Sequence, residues 1–246
     1  MKKITREAIL WYALQTQGDW FQIAHSIRDK DDYKIVHYRY PYITILDSDY
    51  PSCFLRLRYP PWILFYQGNL SYLYLEGIGI VGSRNCTAQA IKDTQTVAEI
   101  VKKKYVVVSG LASGVDAMAH RCALDRKTIG FIGCGIDRIY PKSNTELYQI
   151  MRKDHLIVSE YPMGVLPLSK HFPWRNRLIA ACSKSLIVIQ AKYKSGTMHT
   201  VKQCLELSKT VYCLPSAFSD TEYQGCNYLI QSGAQIIVNQ KDLEEL

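Results

Sequence analysis

What this chain of 246 residues lacks narrows its class before any motif is read. No two of its eight cysteines form a CxxC pair, and no histidine stands at a zinc-ligand spacing from any of them. A structural zinc site needs such closely spaced donors, so neither a metal nor any other cofactor is expected. Cys182 and Cys213 lie inside apolar runs and read as small core residues of a reducing compartment. No stretch approaches the ~20 consecutive apolar residues of a membrane span. The opening MKKITREAILWYALQ has neither a signal-peptide core nor a cleavage site. The expectation is therefore a cytoplasmic protein with no membrane partner. A GxxxxGK[ST] match is also missing, which removes the P-loop nucleotidases. Low-complexity segments, internal repeats and long linkers are absent as well. The length then suits one large domain, or one domain with an appendage.

The charge is not lacking. Thirty Lys and Arg against 22 Asp and Glu leave a net +8. Such an excess fits an anionic partner, nucleic acid first, or else a basic surface with no particular partner. Residues 1 to about 35 read as helical, with Asp19 and Gln22 resembling a capping box at the start of a second helix. YITIL (42–46) and WILFY (62–66) read as short strands around a turn at Asp47 to Pro51.

From Gly77 onward, apolar runs alternate with amphipathic stretches. The runs are GIGIV (77–81), YVVVS (105–109), TIGFI (128–132), HLIVS (155–159), SLIVI (185–189), TVYCL (210–214) and QIIV (235–238). Helical patterns lie between most of them, as at 87–103, 114–125 and 197–208. Strands apolar on both faces and alternating with helices imply a parallel sheet covered on both sides. The fold expected is a doubly wound α/β domain, whose ligands bind at the carboxyl ends of the strands.

Those ends carry anion chemistry. The first run leads into Gly82-Ser83-Arg84 and then a helix, where free amides, a hydroxyl and a forked guanidinium suit phosphate. Gly77, Gly79 and Gly82 spell GxGxxG, but they run through the strand itself. The dinucleotide fingerprint needs them after it, so that reading is rejected. Gly110 opens a run of small residues after the second strand, and Ser195-Gly196-Thr197 opens the helix after SLIVI. A basic and aromatic collar, Lys170, Phe172, Trp174, Arg175, Asn176 and Arg177, enters the helix that precedes SLIVI. Arg175 and Arg177 are two positions apart and cannot share a helix face. One can reach a ligand while the other pairs with an internal acid. Phe172 and Trp174 are candidates to stack on bases, which holds single strands with little sequence preference.

VGSR (81–84), SGLASGVDAMAH (109–120), TIGFIGCGIDRIYP (128–141), SEYPMG (159–164), FPWRNRLIA (172–180), SGTMHT (195–200) and GCNYLIQSGA (225–234) together resemble the DNA processing protein A family, DprA or Smf. The resemblance runs from about residue 42 to 240 in the family's order. It implies an extended Rossmann-like, mostly parallel sheet with a short N-terminal helical extension. It also implies single-stranded DNA as ligand, a homodimer, and loading of a RecA-type recombinase in DNA uptake. On that basis residues 1–70 form a helical and strand-containing extension and 71–246 the DNA-binding domain, with no C-terminal winged helix. Arg84, Lys170, Phe172, Arg175, Asn176 and Arg177 would fall in or beside the DNA pocket. The chain departs from the family's usual residues at Ser113, Gln190 and Ser216, where Arg, Glu and Gly are common, which implies a pocket tuned differently. The main rival is a nucleotide phosphoribohydrolase, whose PGGxGTxxE signature is not matched by Lys194 to Thr200. With no glutamate there, no general acid or base is at hand and an enzyme is not expected. A small-nucleotide sensor is the other alternative.

Overall fold

The computed structural model describes residues 4–246; the first three residues of the N-terminal helical reading lie outside these. Two helices open the chain, α1 (Arg6–Gln15) and α2 (Trp20–Asp29). The Thr5 hydroxyl accepts from the Ala8 amide at the start of α1. Asp19 accepts from the amides of Phe21 and Gln22, both at 3.1 Å, so it caps α2 without a reciprocal bond from Gln22. An extended stretch follows, then β1 (Tyr42–Thr44) and β2 (Ile63–Gly68), which pair antiparallel with Tyr42 opposite Phe65.

The expected alternation comes next. In chain order it gives β3 (Gly77–Val81), α3 (Ala88–Val101), β4 (Val106–Ser109), α4 (Val115–Cys122), β5 (Thr128–Phe131), α5 (Thr145–Asp154), β6 (Leu156–Ser159) and α6 (His171–Cys182). Then follow β7 (Ser185–Val188), α7 (Gly196–Glu206), β8 (Val211–Cys213), α8 (Gly225–Gln231), β9 (Gln235–Ile236) and α9 (Gln240–Glu244). Gly77 and Gly79 sit inside β3, as their rejection as a dinucleotide fingerprint requires.

The strands form one sheet in the order β1-β2-β6-β5-β4-β3-β7-β8-β9. Among β3 to β9 every neighbouring pair is parallel; β2 joins this block at β6, where Phe65 faces Ser159 in an antiparallel register. The sheet is thus continuous across residue 70. The chain runs outward from β3 through β4 and β5 to β6, then returns through α6 to lay β7 on the other side of β3. That reversal makes a switch point beside the carboxyl end of β3, where the loops on its two sides diverge and leave a crevice.

The apolar runs alternate between two covered faces. Val106, Val108, Leu186 and Val188 pack with α6 and α7 residues such as Leu178, Ile179 and Val201. Val107, Ile78, Ile80 and Ile187 pack with Ala90, Val97 and Ala119 of α3 and α4. The N-terminal helices and α5 build a third cluster, in which Ile9, Leu10 and Ile23 meet Phe65, Tyr148 and Ile157. Both faces of the central strands are therefore dry, which is why those segments read as unbroken apolar runs.

One buried histidine is locked neutral inside this core. His120 Nδ1 lies 2.6 Å from the Thr128 hydroxyl, which donates its own proton to the Val107 carbonyl at 2.8 Å. The hydroxyl must then accept from an Nδ1–H, leaving Nε2 bare and buried without a partner. Burial first, then His155 and Arg175, push the imidazole down to about 3. The unfolded chain takes up a proton near the ordinary value of about 6.5, which the native state refuses. Stability therefore falls as pH drops from about 6.5 toward 3, by up to ~1.4 kcal/mol per pH unit. Urea unfolding is expected to show a lower midpoint at pH 5 than at pH 7. His120→Asn should be less stable at pH 7 and should flatten that slope by about 1 kcal/mol per unit, with buried His155 keeping part of it. An unaltered slope in the variant would refute the assignment.

Candidate nucleic-acid interface

At the switch point a cleft of about 580 Å³ opens between the loops after β3, β4 and β7 and the N-terminal turn of α6. Its construction starts with backbone. Gly114 has φ +74°, and a Cβ there would stand 2.3 Å from the Ser83 carbonyl, so only glycine lets the two loops meet. The Val115 amide then donates to Ser83 O at 3.2 Å, and the Ser83 amide donates to Gln190 O at 2.8 Å. The Ser83 hydroxyl donates to Asn85 O at 2.9 Å. The loop carrying Ser83 and Arg84 is held on both sides before any ligand arrives.

Arg175 forms the floor. It is 3% exposed, and its Nη1 donates to the carbonyls of Gly110, at 2.5 Å, and Phe131 at the ends of β4 and β5. A Cβ on Gly110 would lie 2.2 Å from that nitrogen, so the glycine makes room for the guanidinium. Asp116, on the first turn of α4, also lines the cleft. Burial raises its carboxyl above the usual range, and Arg175 pulls it back.

At the mouth, exposed Arg84 stands with its guanidinium carbon 5.3 Å from the centroid of the Phe172 ring. Tyr140 lies on the same ring, with centroids 5.4 Å apart and planes tilted by 36°. The far wall is the start of α7. Thr197 donates to Gly82 O and Asn176 donates to Gly196 O, both at 3.2 Å. The Ser195 hydroxyl is buried beside them and has no hydrogen-bond partner among the described residues. A hydroxyl and helix-start amides facing an open cleft suit an anion. Lys192 adds a cation on the same side and pairs with Glu222.

The structure brings Ser83, Arg84, Phe172, Arg175, Asn176, Ser195, Gly196 and Thr197 onto the cleft, with Gly110 just behind it. It corrects three expectations for the collar. Arg177 turns the other way: it is 4% exposed, donates to Glu160 and lies 4.3 Å from the Trp174 ring centroid. Two positions on a helix are about 200° of rotation, so Arg175 and Arg177 point to opposite sides. Trp174 packs against Phe21 and Tyr59 at 5.8 Å each and lines a separate groove, away from the cleft. Lys170 borders a separate groove with Phe21 and Trp174. Asp116, Tyr140, Asn85, Lys192 and His199 were missed. Asp116 carried a signal, an acid in the first turn of a helix that follows a glycine-rich strand end. Tyr140 carried none, since only the turn after β5 brings it to Phe172. Of the departures, Gln190 bonds both the amide and the hydroxyl of Thr87 at 3.1 Å and so anchors the start of α3.

Residues 41–246 match the family of DNA recombination-mediator protein A. The chain belongs to this family. The DNA processing protein DprA of Streptococcus pneumoniae is 38% identical over 226 residues, 91% of this chain and 78% of that protein. Its crystal structure superposes with a TM-score of 0.82 at 34% identity, covering 98% and 92% of the two chains. The family member from Helicobacter pylori matches with a TM-score of 0.78 and 33% identity, over 85% of this chain and 95% of that one. That protein's structure was described for its single-stranded DNA binding mode.

The Arg177–Glu160 pair generates a test. Both side chains are 5% exposed, so removing one leaves the other as an uncompensated buried charge. Glu160→Met and Arg177→Met are each expected to lose about 3–5 kcal/mol. The double substitution replaces the pair with apolar volume and should recover most of the loss. Thermal melts of the four proteins check this; a double variant as unstable as the sum of the singles would show that no pair is being broken.

Proposed function

We propose that the cleft binds single-stranded DNA, and that the protein acts in recombination as a DNA-binding mediator rather than as an enzyme. The observation that carries this reading is the stack of Arg84, Phe172 and Tyr140 at the mouth of a cleft floored by Arg175. A forked cation suits a phosphate and the aromatic faces suit unpaired bases, which every sequence offers. The Helicobacter pylori relative with a single-stranded DNA binding mode supports it. The aromatic faces at the mouth can be reached by unpaired bases but not by bases stacked within a duplex, so duplex is the poorer ligand. Among the described residues lining the cleft, Asp116 is the one carboxylate; burial raises its carboxyl above the usual range, and Arg175 beside it pulls it back only in part.

The residues of the cleft all come from 71–246, which we read as the DNA-binding domain, while the described residues of the 1–70 extension lengthen the sheet on its β6 side. Two further elements follow from family membership. The protein forms a homodimer; within the apolar stretch from Val211 to Phe218 it is exposed Phe218, not the buried strand residues Val211 and Cys213, that supports association. It also hands its strand to a RecA-type recombinase.

Filter binding at several salt concentrations tests the DNA reading. Single strands should bind more tightly than duplex, with little dependence on sequence; equal affinity would sink the proposal. Arg84→Ala should weaken all sequences alike and lower the slope of log affinity against log salt by about 0.7, one fewer released counterion. Phe172→Ala should lose about 1–3 kcal/mol and leave the slope nearly unchanged.

A further inference from the structure

At the opposite ends of the strands from the cleft, an open basin of about 560 Å³ lies between the start of β3, the last turn of α6 and the turn before β8. Its remaining wall is a short 3-10 turn, Ser52–Arg56, between β1 and β2. Two cysteines line the basin, Cys53 on that turn and Cys182 at the end of α6, more than a hundred positions apart in the chain. Their thiols lie within hydrogen-bond reach, Cys182 donating to the Cys53 sulfur. Among the described residues the lining carries the cations Arg56, Lys184 and Lys209 against one carboxylate, Glu76.

The surroundings set the two sulfurs apart. Cys53 is half-buried and reaches solvent through the basin. The hydrogen bond from Cys182 holds its thiol below the ordinary value against the effect of burial, and Lys209 adds to this. Lys209 is fixed in place: its Nζ donates to the carbonyls of Ala180 at 2.8 Å, Ala181 at 2.7 Å and Ser183, which uses all three of its protons. Cys182 is 7% exposed and ends α6, where the helix dipole disfavours a negative charge. The bond it gives to Cys53, and then burial, push its thiol up. One sulfur is thus poised as the thiolate and the other as its proton-bearing neighbour, the arrangement of an attacking and a resolving cysteine. The other half-buried thiols are placed differently. Burial pushes Cys86 and Cys122 up, and the neighbour of Cys122, at 3.8 Å, is the Met118 thioether, which forms no bridge. Cys213 and Cys226 also touch, but both are fully buried, out of reach of an oxidant.

We propose that Cys53 and Cys182 form a reversible redox site that takes a hydroperoxide as its oxidant. The Cys53 thiolate attacks one peroxide oxygen. The S–O bond forms, the O–O bond breaks, and the alkoxide or hydroxide that leaves takes up the proton that Cys53 released to solvent. The Cys182 sulfur then attacks the sulfenic sulfur. An S–S bond forms, the S–O bond breaks, and the Cys182 proton departs with the hydroxyl as water. Two thiols are oxidised to one disulfide while the hydroperoxide is reduced to an alcohol or water, with one further water released. A dithiol reverses the change by exchange, so in a reducing compartment the bridge is transient. It ties the N-terminal extension to the far end of the helix that carries Arg175.

Brief treatment of the full chain with hydrogen peroxide, followed by alkylation of free thiols in denaturant and peptide mapping, tests this. The wild-type protein should yield a Cys53–Cys182 bridge that dithiothreitol removes, with Cys86, Cys122, Cys213 and Cys226 still free to be alkylated. Cys182→Ala should stop at the sulfenic acid of Cys53, trapped by dimedone, and Cys53→Ser should leave Cys182 a thiol. In the native, untreated protein, iodoacetamide should label Cys53 before Cys86 or Cys122, although all three are half-buried. The wild-type arms need no variant and so do not depend on how a substitution folds. Eight free thiols after peroxide would overturn the assignment. So would a first oxidation at Cys86 or Cys122, a Cys213–Cys226 bridge, or a bridge between two chains in place of the internal one.

Discussion

The site depends on one buried cation. Arg175 ties the carboxyl ends of β4 and β5 together through Gly110 and Phe131 and seats the first turns of α6 against them. A guanidinium does not lose its proton in a protein, so its burial must be balanced by neighbours rather than by neutralisation. Two carbonyls and the nearby Asp116 do this incompletely, since Nε remains without a partner among the described residues. The result is a fixed positive floor at the strand ends, present before a ligand arrives. The loops around it are pinned by backbone bonds of Ser83, Val115 and Gln190. A ligand that binds such a site meets walls already in place, so little is spent on ordering the protein.

One helix serves both the site and the core because its period separates neighbours. Along α6, Phe172, Arg175 and Asn176 face the cleft, while Trp174 and Arg177 face Glu160 and the N-terminal aromatics. A cluster of cations in the sequence is thereby split into a functional charge and a structural one. The N-terminal extension takes part in this. Phe21 and Tyr59 pack on Trp174, Trp20 stacks on Trp62 at 5.4 Å, and β2 hydrogen-bonds to β6 immediately before the loop that leads into α6.

The sequence showed its periodic features plainly and its long-range pairings hardly at all. Strands β3 to β8 lie within the apolar runs, because burial on both faces writes itself as uninterrupted Val, Ile and Leu. Glycine turns marked the strand ends, and so most of the cleft. That one of the two arginines would pair with an internal acid followed from helix geometry, but which one did not. Glu160 lies in the segment after β6, 17 positions before Arg177, and nothing local to either residue announces the contact. Trp174 read as a surface aromatic for the same reason: its neighbours Phe21 and Tyr59 come from more than a hundred positions away. Tyr140 and Asp116 reach the cleft only through the sheet order, with β3 between β4 and β7. The antiparallel seat of β2 on β6 was likewise invisible, since a short apolar run does not name its partner.

Among the described residues, nine strands in a single open sheet leave two unpaired margins, β1 and β9. These are three and two residues long, against six for β2. An edge that short offers few free amides and carbonyls to a foreign strand, so the sheet is a poor template for growth by further copies. Abbreviated margins confine any contact between copies to surfaces other than the sheet border, without the runaway strand addition that a long, flat border would invite.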